Sequence, residues 1–508
     1  MSSKATPATM DIHSPRDAGV LCPITSLPGI CGIGDLGDCA YNFVKWLADA
    51  GQTWWQILPV GPVSSEQGYS PYSSWCSQAG NPLLISPEIL YRKGLLKQSD
   101  LSKTKVFDTP KIDYQTVSQI KDPLLEKAFQ RSNASEDVEF HRFCKEEKCW
   151  LDNFSNYTVL KKIYNGAPWY HWPEKHKSRS GKNLESLKTQ YGNSIQFEQW
   201  KQFQFFEQWS QLKTYCAEQG IKILGDIPVY ASYDSVDVWS QPHLFSLNPD
   251  GSLQGVAGVP PDYFNQEGQR WGMPVYNWEE HINEDFAWWK KRLASNLRFF
   301  DKVRIDHFRA FHSYWEIGAD EPTAKNGVWK QGPGKTFFLS IQKNWKDLPF
   351  VVEDLGETDL GVEKLRRRFK FPGMKVLQFA FGENPGDSPH APHHHSHDFV
   401  VYTGTHDNNT TLGWYKDELT RKGKASLNRY VGHRVNAKNI NDTLIRMAYA
   451  SVARTAIIPL QDLFNMDSEA RMNRPGSRTG NWNWKIPKQM LQPELAKKLL
   501  DWTHLYKR

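Results

Sequence analysis

The chain has 508 residues, of which 39% are hydrophobic and 23% are charged, and this composition is typical of a folded globular protein. The formal net charge of +6 is mild for this length and argues against a nucleic-acid partner, and no run of about 18 apolar residues predicts a membrane span. Aromatic residues make up 13% of the chain. Such a surplus favours ligands with flat apolar faces and polar edges, such as sugars, bases or peptides.

The cysteines and the first residues bear on the cellular compartment. Seven cysteines, an odd number with no Cys-x-x-Cys pair, argue against a disulfide framework and against a zinc site. Residues 1–16 are polar and lack the apolar stretch of a secretory signal. We therefore expect a cytoplasmic protein, or a protein of the plastid stroma if the chain is a processed mature form.

Short runs of β-forming residues recur along the chain, and helical patterns lie between several of them. Residues 205–216, for example, place apolar side chains at helical spacing just before the third run. Strands that alternate with helices favour parallel βαβ units, and eight such units close an α/β barrel of the (β/α)8 or TIM type. The eight runs are 19–22, 54–60, 221–227, 303–306, 350–354, 374–381, 399–403 and 455–460.

The spacing of the runs is uneven, which predicts insertions around the C-terminal mouth of the barrel. A stretch of roughly 160 residues separates the second run from the third, and this is too long for a bare loop in a compact domain. We expect helical insertion subdomains at about 84–196, 231–285 and 310–349, within a single catalytic barrel over residues 1–508.

Carboxylates stand at the ends of four of these runs. Asp226 is the last residue but one of the third run, Asp306 ends the fourth, Glu353 and Asp354 end the fifth, and Asp407 follows the seventh. The C-terminal ends of barrel strands meet at one mouth, where barrel enzymes carry out chemistry. One such acid is often only the N-cap of the next helix. Four together favour a catalytic mouth, because buried charges need partners.

Arg304 and Asp306 are two residues apart on the fourth run and therefore share one face of the strand. A guanidinium beside a carboxylate keeps the carboxylate ionised and fixes its orientation. A covalent glycosyl nucleophile requires such a carboxylate. The alternative is a structural ion pair inside the barrel.

The roles of the acids at the ends of the fifth and seventh runs are less well determined by the local sequence. Glu353 and Asp354 are adjacent and face opposite ways, so only one of them points to the mouth. We favour Glu353 as a general acid, because desolvation keeps a glutamic acid protonated near neutral pH, but the local sequence leaves Asp354 open. Asp407 follows His406 and precedes two asparagines. This polar cluster suits sugar hydroxyls or, alternatively, caps the next helix.

Short stretches in order along nearly the whole chain resemble one known family. Together they are similar to glycoside hydrolase family 77, the amylomaltases or 4-α-glucanotransferases, which are related to the α-amylases. Any one stretch would be weak support, whereas the ordered set is specific. The stretches are 25–29, 70–74, 80–82, 225–228, 258–262, 271–272, 303–311, 353–356, 372–381, 402–411, and 470–473 with 480–482.

The resemblance implies a retaining double displacement carried by three carboxylates. Asp306 would be the nucleophile, Glu353 the general acid/base, and Asp407 the group that holds the distorted sugar. It therefore selects Glu353 over Asp354, and retention predicts a separation of about 5–5.5 Å between the Asp306 and Glu353 carboxyl groups. The resemblance also implies substrate-binding roles for Tyr72, Asp226, Trp271, Arg304 and His406.

The activity that the resemblance implies is transfer of α-1,4-glucan segments between malto-oligosaccharide donors and acceptors. We expect no cofactor, since the sequence has no glycine-rich phosphate loop, and no metal, since the consecutive histidines within residues 393–397 rarely converge on one ion. We also expect neither nucleic acid nor a membrane as partner. Two alternatives stay open: a retaining hydrolase like the α-amylases, and a glucan-binding barrel without activity.

Overall fold

The computed structural model of the protein describes residues 15–102, 104, 109–261, 266–356, 359–477, 479–487 and 489–508, and every feature described below lies within them. Asp262, the last residue of one family-like stretch, lies outside these ranges.

Twelve strands lie in the described residues, and eight of them form a barrel. The strands are β1 (Asp17–Leu21), β2 (Trp54–Gln56), β3 (Lys222–Ile227), β4 (Gly255–Val259), β5 (Gln269–Pro274), β6 (Lys302–Ile305), β7 (Ser313–Gly318), β8 (Val328–Gln331), β9 (Phe350–Val352), β10 (Gly373–Val376), β11 (Phe399–Tyr402) and β12 (Thr455–Pro459).

The barrel strands follow one another in the order β1, β2, β3, β6, β9, β10, β11 and β12, and β12 pairs back to β1. Their registered pairs are all parallel. The N–H of Val352 donates to the carbonyl of Pro372 at 2.9 Å, and this bond joins β9 to the residue before β10. The predicted barrel of eight parallel strands is confirmed.

Helices fill the connections between the strands. α8 includes the predicted helical stretch 205–216 and ends shortly before β3. Among the described residues, no helix is both long and apolar enough to span a lipid bilayer. The α-helices are α1 (Asp38–Asp49), α2 (Pro87–Arg92), α3 (Gln98–Leu101), α4 (Tyr114–Arg131), α5 (Val138–Glu146), α6 (Lys148–Ile163), α7 (Glu174–Lys177), α8 (Gly181–Glu218), α9 (Val236–Ser240), α10 (Trp278–Asn283), α11 (Ala287–Phe299), α12 (Gly334–Gln342), α13 (Leu360–Arg368), α14 (Thr411–Gly413), α15 (Arg421–Val431), α16 (Ile440–Ala450), α17 (Leu460–Leu463) and α18 (Pro493–Tyr506).

The barrel strands are buried along most of their length, as expected for parallel strands covered by helices. Every residue of β9 and of β11 is buried. Two predicted runs are much shorter as strands. Residues 54–60 form β2 only to Gln56. Residues 374–381 continue β10 only to Val376, and a 3-10 helix follows over Leu377–Ala380. A short apolar run fits a buried helix as well as a buried strand, so its periodicity did not locate this boundary.

Much of the aromatic surplus belongs to the core. Trp55, Trp200, Trp239 and Trp289 are among the largest fully buried side chains. Trp289 on α11 packs edge to face against Phe311, which lies in the turn region after β6, with ring centroids 5.5 Å apart. Such aromatic pairs stabilise the connections of the barrel by more free energy than the burial of their apolar area alone provides.

The connections on either side of β6 share a second, antiparallel sheet. Its order is β5, β4, β7, β8, and Val256 of β4 lies opposite Ile317 of β7. The stretches 231–285 and 310–349 therefore contain strands as well as helices. Val256, Ile317 and Ala324 form a small buried cluster of their own, which packs β4 against β7.

Candidate active site

The barrel brings the predicted carboxylates to one end of the sheet. Asp226 lies on β3 directly opposite Arg304 of β6. Asp306 and Glu353 are the first residues after β6 and β9, and Asp407 lies in the turn after β11. Since all these strands are parallel neighbours in one ring, their carboxyl ends face the same mouth.

Arg304 is the ionic centre of this cluster. Its Nη1 donates to both carboxylate oxygens of Asp226, at 2.9 and 2.7 Å, and also lies 2.9 Å from Oδ1 of Asp306. The Asp226 side chain is fully buried, whereas 28% of the Asp306 side chain is exposed. The pair with Asp226 is thus structural, while Asp306 stays ionically anchored and open to a ligand.

Tyr72 forms a polar and an aromatic contact beside this centre. Its hydroxyl donates to Oδ2 of Asp226 at 2.8 Å, and its ring stacks on His406 with centroids 5.0 Å apart at 17°. The Trp482 ring lies 5.5 Å from the Tyr72 ring. Burial raises the pKa of Asp226 to about 6 even though Arg304 opposes the rise. Trp482 thus lies beside both Tyr72 and His406, with its ring 6.1 Å from the His406 ring.

Asp407 is held by residues distant in sequence. Asn473 donates its side-chain amide to Oδ1 of Asp407 at 2.6 Å, and Nε2 of His406 lies 3.4 Å from Oδ2. Arg471 donates to the main-chain carbonyl of Asp407 at 2.7 Å. Desolvation opposes ionisation, but His406 and the Asn473 hydrogen bond outweigh it and lower the pKa of Asp407 below its usual range.

Sequence reasoning had not assigned roles to Asn473 and Arg471. The signal available for them was the family-like stretch 470–473, in which both residues stand. No local pattern linked that stretch to Asp407, because the two lie more than 60 residues apart along the chain.

Glu353 and Asp354 face opposite ways, as the strand geometry predicted. Oε1 of Glu353 accepts the N–H of Leu355 at 2.7 Å, and Oε2 accepts the N–H of His307 at 2.9 Å. Asp354 instead accepts the N–H of Met374 on β10 at 2.8 Å. Asp354 thus has a strand-joining contact, and Glu353 lies beside the segment that carries Asp306.

Burial raises the pKa of Glu353 to about 7. The positive charge of Arg304 opposes this rise, and the negative charge of Asp306 adds to it. A carboxyl group with such a pKa exchanges its proton readily near neutral pH, which general acid–base chemistry requires.

Trp271 lies on β5, and its half-buried ring meets the ring of His307 edge to face, with centroids 4.8 Å apart at 84°. Tyr230 backs Trp271 at 6.2 Å. The structure therefore brings all eight predicted site residues into one connected cluster around β3, β6, β9 and β11. The separation of about 5–5.5 Å between the Asp306 and Glu353 carboxyl groups stays a prediction.

Within the ranges that the structure describes, no three His, Cys, Asp or Glu side chains are arranged to hold a metal ion. Of the consecutive histidines, His395 is buried, and its Nδ1 lies 2.7 Å from the hydroxyl of Ser451.

A parallel eight-stranded barrel with ionised and proton-exchanging carboxylates at one mouth has the architecture of a (β/α)8 enzyme. Comparison with known proteins identifies the family within that class. The glycoside hydrolase 77 model, described as 4-alpha-glucanotransferase, matches residues 22–491. The 4-alpha-glucanotransferase of Aquifex aeolicus is 44% identical over 486 residues, which cover 96% of this chain and 98% of the relative.

Two further relatives agree. The 4-alpha-glucanotransferase of Synechocystis sp. is 43% identical over 500 residues, covering 97% of this chain and 98% of the relative. The solved amylomaltase from Streptococcus agalactiae in complex with acarbose superposes with a TM-score of 0.93 at 37% identity, and covers 97% of this chain and 99% of that one. The chain belongs to the 4-α-glucanotransferase family, glycoside hydrolase family 77, as the resemblance implied.

Proposed function

We propose that this chain transfers α-1,4-glucan segments between malto-oligosaccharides by a retaining double displacement, with Asp306 as nucleophile, Glu353 as general acid/base and Asp407 as stabiliser of the distorted sugar. The observation that carries the proposal is the shared Arg304, whose guanidinium binds buried Asp226 and partly exposed Asp306 at once. Retention requires a pair of this kind, an anchored and accessible carboxylate beside an acid with a raised pKa.

In the first half-reaction, Glu353 gives its proton to the glycosidic oxygen while Asp306 attacks the anomeric carbon. The bond to the leaving glucan breaks, and a covalent glycosyl ester forms on Asp306. In the second half-reaction, Glu353 takes the proton of an acceptor 4-hydroxyl, whose oxygen displaces Asp306. Two inversions at the same carbon leave the α configuration unchanged.

The surrounding rings and polar groups bind the substrate. Tyr72, stacked on His406, offers a flat face to the donor sugar at the cleavage site. Asp407, kept ionised by its low pKa, accepts hydrogen bonds from that sugar's hydroxyls. Trp271 forms the acceptor wall, and Asp226 supports the site through Arg304.

We further propose that the chain acts as one catalytic barrel with its insertions at 84–196, 231–285 and 310–349, on glucan donors and acceptors and without nucleic acid or membrane. The cytoplasm is the compartment we propose. The free state of all seven cysteines supports a reducing compartment. The plastid stroma is the alternative compartment, because a potato relative, 40% identical, carries the name 4-alpha-glucanotransferase, chloroplastic/amyloplastic.

Maltotriose alone distinguishes the three functions. We expect glucose together with a ladder of longer malto-oligosaccharides, because an acceptor sugar bound beside Trp271 intercepts the glycosyl ester before water does. Chromatography of the products over time is the measurement. Glucose and maltose without longer chains would identify a hydrolase, and unchanged maltotriose with retained binding would identify a glucan-binding barrel.

The pH dependence of kcat/KM reports the acid/base group. Glu353 must be protonated to begin the reaction, and its raised pKa keeps the proton bound up to a pH of about 7. We therefore expect kcat/KM for maltotriose to be retained on the acidic side of about pH 7 and to fall roughly tenfold per pH unit well above it. Initial rates from about pH 5 to about pH 9 measure this; a level profile up to about pH 9 contradicts the assignment.

A further inference from the structure

The turn after β6 is bonded directly to the acid/base glutamate. The N–H of Glu353 donates to the carbonyl of Ile305 at 3.0 Å, and the N–H of Phe308 donates to the carbonyl of Glu353 at 3.2 Å. These two bonds join main chain to main chain. The N–H of His307 instead bonds to the side chain: it donates to Oε2 of Glu353 at 2.9 Å.

His307 has an unusual backbone conformation at this point. Its φ of 48° and ψ of 50° lie in the left-handed region, which is unfavourable for a residue that carries a Cβ. The neighbouring turn maintains it, since the carbonyl of His307 accepts the N–H of Ala310 at 3.0 Å. The half-buried His307 ring packs edge to face on Trp271, 4.8 Å between centroids. Backbone and ring are thus each held by a contact of their own.

The ring of His307 is neutral over the range in which the enzyme works. Burial and the neighbouring charge of Arg309 lower its pKa to about 3. The charged groups that act on Glu353 are Arg304 and Asp306 from the β6 segment and Asp354 from its own strand end. A change in the pH profile near neutrality therefore reports Glu353 and these charges, and not a titration of His307.

We propose that His307 is a positioning residue: its left-handed backbone, fixed by its ring against Trp271, aims an N–H at the Glu353 carboxylate and so connects the acceptor wall to the acid/base group. This inference rests on the proposed function, because it takes Glu353 as the acid/base. An N–H donated to a carboxylate favours the ionised form. Glu353 needs that form in the second half-reaction, when it takes the acceptor's proton.

A comparison of His307→Val with His307→Asn tests the proposal. Neither replacement has an aromatic ring, but asparagine tolerates the left-handed backbone and β-branched valine does not. In His307→Val we expect the backbone to leave the left-handed region, so that the N–H of residue 307 no longer points at the Glu353 carboxylate. We then expect kcat on maltotriose to fall about 10- to 100-fold, and the alkaline limb of kcat/KM to move up by about one pH unit because the ionised carboxylate has lost a hydrogen bond. For His307→Asn we expect an unmoved limb and a KM for the acceptor raised about 2- to 10-fold, since only the ring contact is lost.

Equal pH limbs and equal kcat in the two variants would overturn the proposal, because the backbone would then have no influence on Glu353. Thermal melting shows whether each variant folds. If His307→Val does not fold, His307→Ala and His307→Gly give the same comparison with less bulk, since glycine adopts the left-handed conformation freely and alanine does not. Glu353→Gln in the same assay separates the two levels of inference. Full activity of Glu353→Gln refutes the proposed function. If Glu353→Gln is inactive but His307→Val has the activity and pH profile of the wild type, only the role of His307 is refuted.

Discussion

Replacing Asp306 by asparagine is expected to lower the disproportionation rate of maltotriose by about 10⁴-fold or more. The amide has the shape of the carboxylate but is a far weaker nucleophile, and loss of a covalent nucleophile removes most of an enzyme's acceleration. The loss should appear in kcat, because the covalent bond to Asp306 forms only during the reaction and not on binding. Discontinuous product analysis over hours has the range to measure this.

Asp301→Asn is the matched control for this change. Asp301 stands just before β6, at the opposite end of the strand from Asp306, and its Oδ2 accepts the N–H of Ile223 at 2.8 Å. Asparagine still has an oxygen for that bond, and the ion pair it loses with Lys213 is long, at 3.6 Å, and partly exposed. We therefore expect wild-type transfer and a melting temperature that changes little. Undiminished turnover by Asp306→Asn, with the fold intact, would falsify the mechanism.

The Glu353→Gln variant is expected to lose about 10²- to 10⁴-fold on maltotriose, which is the range for removal of a general acid–base group. Its loss should depend on the leaving group. With a glycosyl fluoride donor the leaving group is fluoride, which departs without a proton. The first half-reaction should therefore proceed, while the second, which needs a base, stays slow. The covalent glycosyl ester on Asp306 should then accumulate, and mass spectrometry of the intact protein should detect the added sugar.

Asp354→Asn serves as the control next to it. Asp354 faces away from Glu353 and accepts the N–H of Met374 at 2.8 Å, and an asparagine oxygen accepts the same bond. Arg366, which lies 3.5 Å from Asp354, keeps its pair with Asp398. We expect transfer rates within a few-fold of wild type, since the charge of Asp354 acts on the pKa of Glu353 less than those of Arg304 and Asp306 do. If Asp354→Asn lost activity as Glu353→Gln does, or if no ester accumulated with the fluoride donor, the assignment of the acid/base group to Glu353 would be wrong.

Local sequence was sufficient where the function of a residue depends on its own strand. Arg304 and Asp306 share a face because they are two residues apart on one strand. In the structure their side chains form an ion pair, with 2.9 Å between Nη1 of Arg304 and Oδ1 of Asp306. The opposite orientations of Glu353 and Asp354 follow from the same periodicity. The resemblance to a family added what periodicity left open, namely which of the two adjacent acids faces the mouth.

Local sequence was insufficient where a residue acts on a distant part of the chain. Asn473 holds the Asp407 carboxylate from 66 residues away, and Trp482 stands beside Tyr72 although they come from opposite ends of the chain. No spacing rule relates such positions. The left-handed backbone of His307 is a similar case, because a histidine signals that conformation far more weakly than a glycine would.

The sequence by itself thus determined the (β/α)8 barrel, its strand-end carboxylates and the family, because these depend on periodicities and motifs that are local in the chain. Only the tertiary structure decided which groups hold those carboxylates and how strongly they bind their protons. The raised pKa of Glu353 and the lowered pKa of Asp407 arise from burial and from charges brought together across the mouth. Desolvation and Coulomb interactions depend on distance in space, and the closed barrel sets those distances.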